Sequence, residues 1–290
     1  MKSCVSLYSY WKPVRLGQMD QYEVIDTIKK LGIDAVELLM LDDAVPAGET
    51  MQGYTKKLYD HARSAGLEVP ILSMDSKIYC ADPERELGYL CSMVDVASEC
   101  SIPLMRFDIA YRFLGDETVK NYKTVIKAVT PYIRRLADYA KEKGVKVISE
   151  NHGRIIQDSY RVEELITTVD HENYGYLCDI GNFGGVDEDC ATAVSRLLPY
   201  ICFVHAKDAL ERDGMEYDPG RGFSRTRGGK FRRATIFGQG VVPVYQILRS
   251  LKASGYEGYI SLEYEGMEDT MEAMEIGAEN LKRMLLDIEK

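Results

Sequence analysis

The chain has 290 residues, 46% hydrophobic and 28% charged, with a formal net charge of -10. That length is normal for one α/β barrel of about 250 residues plus insertions, and the acidic balance excludes a nucleic-acid partner held by general electrostatics. No apolar run is long enough to span a bilayer, the N-terminal MKSCVSLYSYW lacks the pattern of a signal peptide, and seven scattered cysteines without a CxxC pair fit buried thiols of a cytoplasmic protein.

Ser3–Tyr8 reads as a strand, followed by a helix over Gln21–Leu31 that Gly32 stops. Asp34–Leu39 is the second strand and Thr50–Ala65 the second helix, closed by Gly66. Glu68–Met74 is the third strand, and Pro83–Cys100 a helix with proline in its first turn. Pro103–Asp108 follows as a strand, and Glu117–Lys143 as a helix expected to kink or restart at Pro131. Val145–Gly153 (VKVISENHG) is the fifth strand running into a polar cluster, and Ser159–Val169 the fifth helix. Then come a strand at Tyr174–Asp179, a helix at Asp187–Leu198 and a strand at Ile201–Lys207. A long Gly- and Arg-rich loop, about 208–240, precedes the helix Val241–Ser254, the strand Tyr259–Tyr264 and a last helix at Asp269–Asp287. Strand and helix alternate eight times, which predicts a parallel α/β fold, and eight units in this length favour one closed (β/α)8 TIM barrel over residues 1–290.

In such a barrel the active site lies at the C-terminal ends of the strands. Side chains alternate along a strand, so Ile148, Glu150 and His152 share one side, as do Phe203, His205 and Lys207, and Ser261 with Glu263. Four consecutive strands therefore end in Glu150, Asp179, His205 and Glu263. Three carboxylates meeting at one barrel mouth would repel without a counter-charge. With an imidazole they suit one divalent ion: Mn²⁺ first, with Mg²⁺, Co²⁺ or Zn²⁺ as alternatives. Glu37, and Arg106 with Asp108, share the inward parity. Arg106 and Lys207 can hold substrate oxygens or form barrel salt bridges, Arg106 with Asp108 or Glu37. Trp11 lies where a sugar face could stack, though ordinary packing serves as well. In the long loop Arg221, Arg225, Arg227, Lys230, Arg232 and Arg233 stand against Asp213, Glu216 and Asp218. This fits a phosphate or carboxylate site, a subunit contact or a solvated lid.

ENHG at 150–153, CDIGNFG at 178–184, VHAKDA at 204–209 and GYEGYISLEYEG at 255–266 resemble the sugar phosphate isomerase/epimerase family, as do GIDAVEL at 32–38 and the GQG at 238–240. The resemblance covers essentially the whole chain and implies the xylose isomerase-like barrel. It also implies one metal on Glu150, Asp179, His205 and Glu263. In the family's ketose 3-epimerases the two glutamates, here Glu150 and Glu263, are also the acid/base pair; His152 is an alternative base or a hydroxyl ligand. The chain departs from several relatives in carrying Asn182 where they have histidine. Asn182 can bond a sugar hydroxyl but weakens a second metal site, and four histidines are too few for a three-zinc endonuclease.

The expected function is thus a metal-dependent isomerase or epimerase of a sugar, sugar phosphate or related ketone, through an enediolate. The family also contains lyases: C-glycoside-cleaving subunits, which need a partner chain, and inosose dehydratases. A non-catalytic carbohydrate-binding barrel is the remaining alternative. The expected partner is a small carbohydrate, with neither nucleic acid nor membrane, and a homo-oligomer stays open.

Overall fold

The computed structural model describes residues 1–115 and 120–289. Eight parallel strands close into a barrel: β1 (Lys2–Ser6), β2 (Ala35–Met40), β3 (Ile71–Lys77), β4 (Leu104–Asp108), β5 (Lys146–Glu150), β6 (Tyr174–Asp179), β7 (Ile201–Ala206) and β11 (Tyr259–Leu262), the last pairing back onto β1 through Lys2↔Tyr259 and Val5↔Leu262. Around it run α1 (Trp11–Arg15), α2 (Gln21–Lys30), α3 (Met51–Ser64), α4 (Pro83–Glu99), α5 (Tyr122–Glu142), α6 (Ser159–Val169), α7 (Cys190–Leu197), α8 (Val244–Ala253) and α9 (Thr270–Ile288). Their starts are set by side chains that accept the first free N–H groups. Asp20 with Glu23 forms a capping box on α2, and Asp158, Asp189 and Asp269 cap α6, α7 and α9.

Strand parity divides the core in two. Val147, Phe107 and Val204 point outward into the layer between sheet and helices, while Cys4, Ala35, Ile71, Ile148, Leu177 and Phe203 fill the barrel interior. No helix among the described residues is long and apolar enough to cross a membrane.

Several boundaries differ from the sequence expectation for local reasons. Pro70 has no N–H for the ladder, so Glu68 contributes only one isolated bridge to Ala35 and β3 starts at Ile71. Asp187 is left-handed (φ 62°) and closes a 3₁₀ turn over Asn182–Val186, which delays α7 to Cys190. Pro243 holds α8 back to Val244. The helix expected from Glu117 is described from Tyr122; residues 117–119 lie outside the described part. It runs unbroken through Pro131, whose lost N–H would have met the carbonyl of Lys127. Both residues are exposed, so water can take that carbonyl.

The largest difference lies in the loop after β7. It contains a three-stranded antiparallel sheet, order β8-β10-β9, from β8 (Asp208–Arg212), β9 (Ser224–Arg225) and β10 (Phe231–Thr235).

Candidate metal and substrate site

Two residues above the inner apolar layer the barrel becomes charged. Glu150 ends β5, Asp179 ends β6, His205 lies in β7 and Glu263 follows β11; all four are buried. One ligand-type atom from each lies within 4.8 Å of the other three.

His205 is oriented from below. Its Nε2–H points at both oxygens of Glu37, at 3.0 and 2.9 Å, and Glu37 also accepts from Ser73 Oγ (2.5 Å) and Ser261 Oγ (2.8 Å). That fixes the tautomer and leaves Nδ1 facing Glu150 Oε1 at 3.6 Å and Glu263 Oε2 at 3.7 Å. Burial works against a charged ring, but Glu37, Glu263 and Glu150 together raise the imidazole well above its usual pKa.

Asp179 is held at backbone level. The Asn151 amide donates to the Asp179 carbonyl and accepts from its N–H, both at 2.9 Å, continuing the β5–β6 ladder with a side chain. Asp179 Oδ1 accepts from Gly181 N (2.8 Å) and Asn182 N (3.0 Å), leaving Oδ2 turned inward. Burial pushes this carboxyl up to about 7, against the pull of Lys207 and with the push of Glu150 and Glu263.

Glu150 accepts from Asn182 Nδ2 at 3.1 Å and lies 2.5 Å from Arg106 Nη2. Burial would raise its pKa, but Arg106 and then His205 hold it well below the usual carboxylate range. Arg106 also meets Asp108 at 2.8 Å, while Glu37, the other partner considered for it, is taken by His205. Lys207 Nζ stands 2.6 Å from Glu263 Oε2, 2.9 Å from Asp179 Oδ2 and 3.3 Å from Glu265.

The fit to a metal rests on atoms left over. Glu150 Oε2, Asp179 Oδ2, His205 Nδ1 and Glu263 Oε2 are buried and make no hydrogen bond among the described residues; the first, second and fourth meet only the nearby cations by charge. Buried carboxylates gathered this closely are costly unless a cation offsets their charge. Two or more carboxylate oxygens and one imidazole nitrogen are the donor set of Mg²⁺, Mn²⁺ or Zn²⁺ sites. The buried cluster can therefore hold one divalent ion, and Lys207 competes with that ion for the same oxygens. A second trio, Asp108, Glu150 and His152, also comes within ligand distance, but the Arg106 guanidinium already neutralises its carboxylates.

Above the cluster opens a cleft of about 200 Å³, lined by Tyr8, Trp11, Arg106, Tyr111, His152 and Lys207 among others. At liquid density that is roughly seven waters, the size of a monosaccharide. His152 is partly exposed at its rim, with Nδ1 3.3 Å from Asp108 Oδ1 and its ring edge-on to Tyr111. Burial lowers its pKa, but Asp108 outweighs that and raises it above the usual value. Trp11 stacks on Tyr8 with ring centroids 6.2 Å apart and carries the Arg15 guanidinium at 4.6 Å, so it forms a wall of the cleft.

The structure thus brings Glu150, Asp179, His205, Glu263, His152, Asn182, Lys207 and Arg106 together. Glu37, expected on the substrate side, instead lies fully buried, with its oxygens taken by His205 Nε2, Ser73 Oγ and Ser261 Oγ. His61 and His171 pair with Asp26 and Asp138 at the surface. Asn151 and Tyr111 were not singled out from sequence. Asn151 lies inside ENHG, while nothing in the sequence marks Tyr111, which donates to Asp108 Oδ2 at 3.0 Å.

A family model described as xylose isomerase-like TIM barrel matches residues 25–284. The inosose dehydratase of Lacticaseibacillus casei is 28% identical over 134 residues, 46% of this chain and 45% of that protein, so the match spans less than half of the curated relative. Among solved structures, the probable 3-DHS dehydratase AsbF from Bacillus anthracis superposes with a TM-score of 0.74 at 17% identity, covering 97% of this chain and 99% of that one. The D-psicose 3-epimerase from Clostridium cellulolyticum H10 gives 0.73 at 17%, covering 99% of each chain. At such identities the structural likeness shows the fold alone.

Proposed function

This chain belongs to the xylose isomerase-like TIM barrel family, and from that premise we propose that it is a divalent-metal-dependent enzyme that removes a proton next to the carbonyl of a polyhydroxy ketone, as an isomerase or epimerase. The observation that carries the reading is the convergence of four buried ligand-type groups, Glu150, Asp179, His205 and Glu263, under a monosaccharide-sized cleft.

Glu150, Asp179, His205 and Glu263 would hold the ion. Bound there, a divalent ion polarises a substrate carbonyl and its neighbouring hydroxyl and so acidifies the C–H between them. The residues supply the proton traffic. Glu150, beside Arg106, and Glu263, beside Lys207, are the carboxylates placed to take and return the proton. His152, partly exposed and with its pKa raised by Asp108, can return a proton from the rim. Arg106 and Lys207 neutralise negative charge as it develops on the substrate oxygens. Trp11 and Tyr111 wall the cleft and limit water.

A second reading, dehydration, is favoured by the same His152–Asp108 pair. A protonated imidazole at the rim suits delivery of a proton to a leaving hydroxyl, and the relatives matched in sequence are named inosose dehydratases. To test both, Mg²⁺-loaded protein is incubated in D₂O with ketoses, ketose phosphates and inosose and followed by mass spectrometry. Deuterium uptake without loss of water is expected for the isomerase or epimerase. Uptake with loss of water establishes the dehydratase. No uptake from any substrate by protein shown to hold its metal overturns the enolising reading for these classes.

A further inference from the structure

The cations of the Arg-rich loop fall into two groups. Arg212 pairs with Glu216, Arg227 with Asp158 (2.8 Å), Lys230 with Glu211 (2.6 Å) and Arg233 with Glu268 (3.0 Å), so these four fasten the small sheet to itself and to the barrel. Arg221, Arg225 and Arg232 form no ion pair among the described residues, and neither does Arg154 after β5. Arg154, Arg225 and Arg232 line one groove of about 260 Å³.

The groove is built. The Arg232 guanidinium lies on the backbone of the 3₁₀ turn after β6, where only glycine leaves room: a Cβ on Gly184 would sit 1.1 Å from Nη1 and 2.3 Å from Cζ. Arg225 lies over the buried Phe231 ring at 4.3 Å, and Arg154 Nη2 donates to the Arg225 carbonyl at 3.1 Å. The groove also holds two acids. Asp208 is already satisfied by the N–H groups of Ala209, Gly238, Gly240 and Val242, at 2.8 to 3.1 Å, and Glu265 stands beside Lys207. His152, Lys207 and Glu265 line both this groove and the substrate cleft, so the two are continuous.

We propose that this groove binds a phosphate monoester carried by the substrate, so that the molecule enolised over the metal cluster is a sugar or cyclitol phosphate. The assignment rests on the enolising reading above. A planar carboxylate is satisfied by one guanidinium fork. Three arginines free of ion pairs around a larger space suit a tetrahedral dianion better, and Arg232 also borders a second cavity with Asp187, Glu188, Asp189 and Glu211. In a protein of net charge -10, such a concentration of unpaired arginine beside the cleft serves anion capture.

The test uses Mg²⁺-loaded full-length protein titrated with inorganic phosphate and followed by ³¹P NMR. Phosphate is expected to bind the wild type, to bind Arg225→Gln and Arg232→Gln about tenfold more weakly each, and to bind Arg221→Gln, an unpaired loop arginine outside the groove, as it binds the wild type. Arg225 is exposed, so its variant keeps the test readable if Arg232→Gln disturbs the packing on Gly184. Unchanged phosphate affinity in both groove variants, no binding by the wild type, or tighter binding of acetate than of phosphate overturns the assignment. Mg²⁺ affinity, measured in parallel, separates the two claims: lost metal binding with phosphate still bound removes the enolising reading, whereas intact metal binding without phosphate removes only this one.

Discussion

The barrel interior changes character within one step of the strands. On β2, Ala35 is followed two residues on by Glu37; on β5, Ile148 by Glu150; on β6, Leu177 by Asp179; on β7, Phe203 by His205. The lower member of each pair packs in an apolar layer, and the upper member carries charge that is buried just as deeply. The backbone and the parity are the same, so the difference is one of side-chain chemistry alone. The lower layer stabilises the barrel by leaving water. The upper layer costs stability, since charge is buried at its expense, and it persists because the charges satisfy one another and what they bind.

Breaking the upper layer should have the largest effect. Asp179→Asn removes a ligand charge, and loss of detectable metal binding and of deuterium exchange is expected while circular dichroism stays native. Metal titration checks it. Breaking the lower layer should do the reverse. Phe203→Ala is expected to cost about 3–5 kcal/mol of stability, read as a lower Tm and urea midpoint, with metal affinity of the folded fraction unchanged. If Phe203→Ala weakened metal binding as much as Asp179→Asn, the two layers would not be separable.

Glu37 belongs to the upper layer but serves His205 and not the cleft, and it sharpens the comparison. Glu37→Gln keeps the shape but frees His205 to turn, and a loss of about 10–100-fold in metal affinity is expected; calorimetric titration decides it. The smallest effect is a pH trend. In the metal-free protein the folded-state pKa values of Asp179 (about 7) and His205 are raised, so the folded form binds more protons than the unfolded one. Their stabilising protonation is complete below the unfolded values and is lost as pH rises through the folded ones. The Tm of metal-free protein should therefore fall from pH 5 to pH 8, and added Mg²⁺ should bind more tightly as pH rises because binding releases protons. A Tm that climbs over that range without metal would contradict the assignment of charge.

How much of this was legible beforehand followed the physics of each signal. β6 and α6 appear at the residues their periodicity marks, and the inward parity of Ile148 and Glu150 needed only alternation along a strand. β8 and β10 were not visible. DALER and FRRAT hold few apolar residues, and their register comes from pairing with each other. The role of Glu37 was hidden for a different reason. Parity says that Glu37 faces inward but not what its carboxylate meets, and it meets His205, Ser73 and Ser261 instead of the cleft.

Asp179 has a consequence for ion choice. With Oδ1 committed to the N–H groups of Gly181 and Asn182, it can give a metal only one oxygen. Calcium favours many oxygens and carboxylates that chelate through both, whereas smaller ions are content with about six donors, two of which a substrate can provide. The turn after β6 therefore acts as a sieve on ionic radius, and calcium should displace Mg²⁺ or Mn²⁺ poorly in a competition titration.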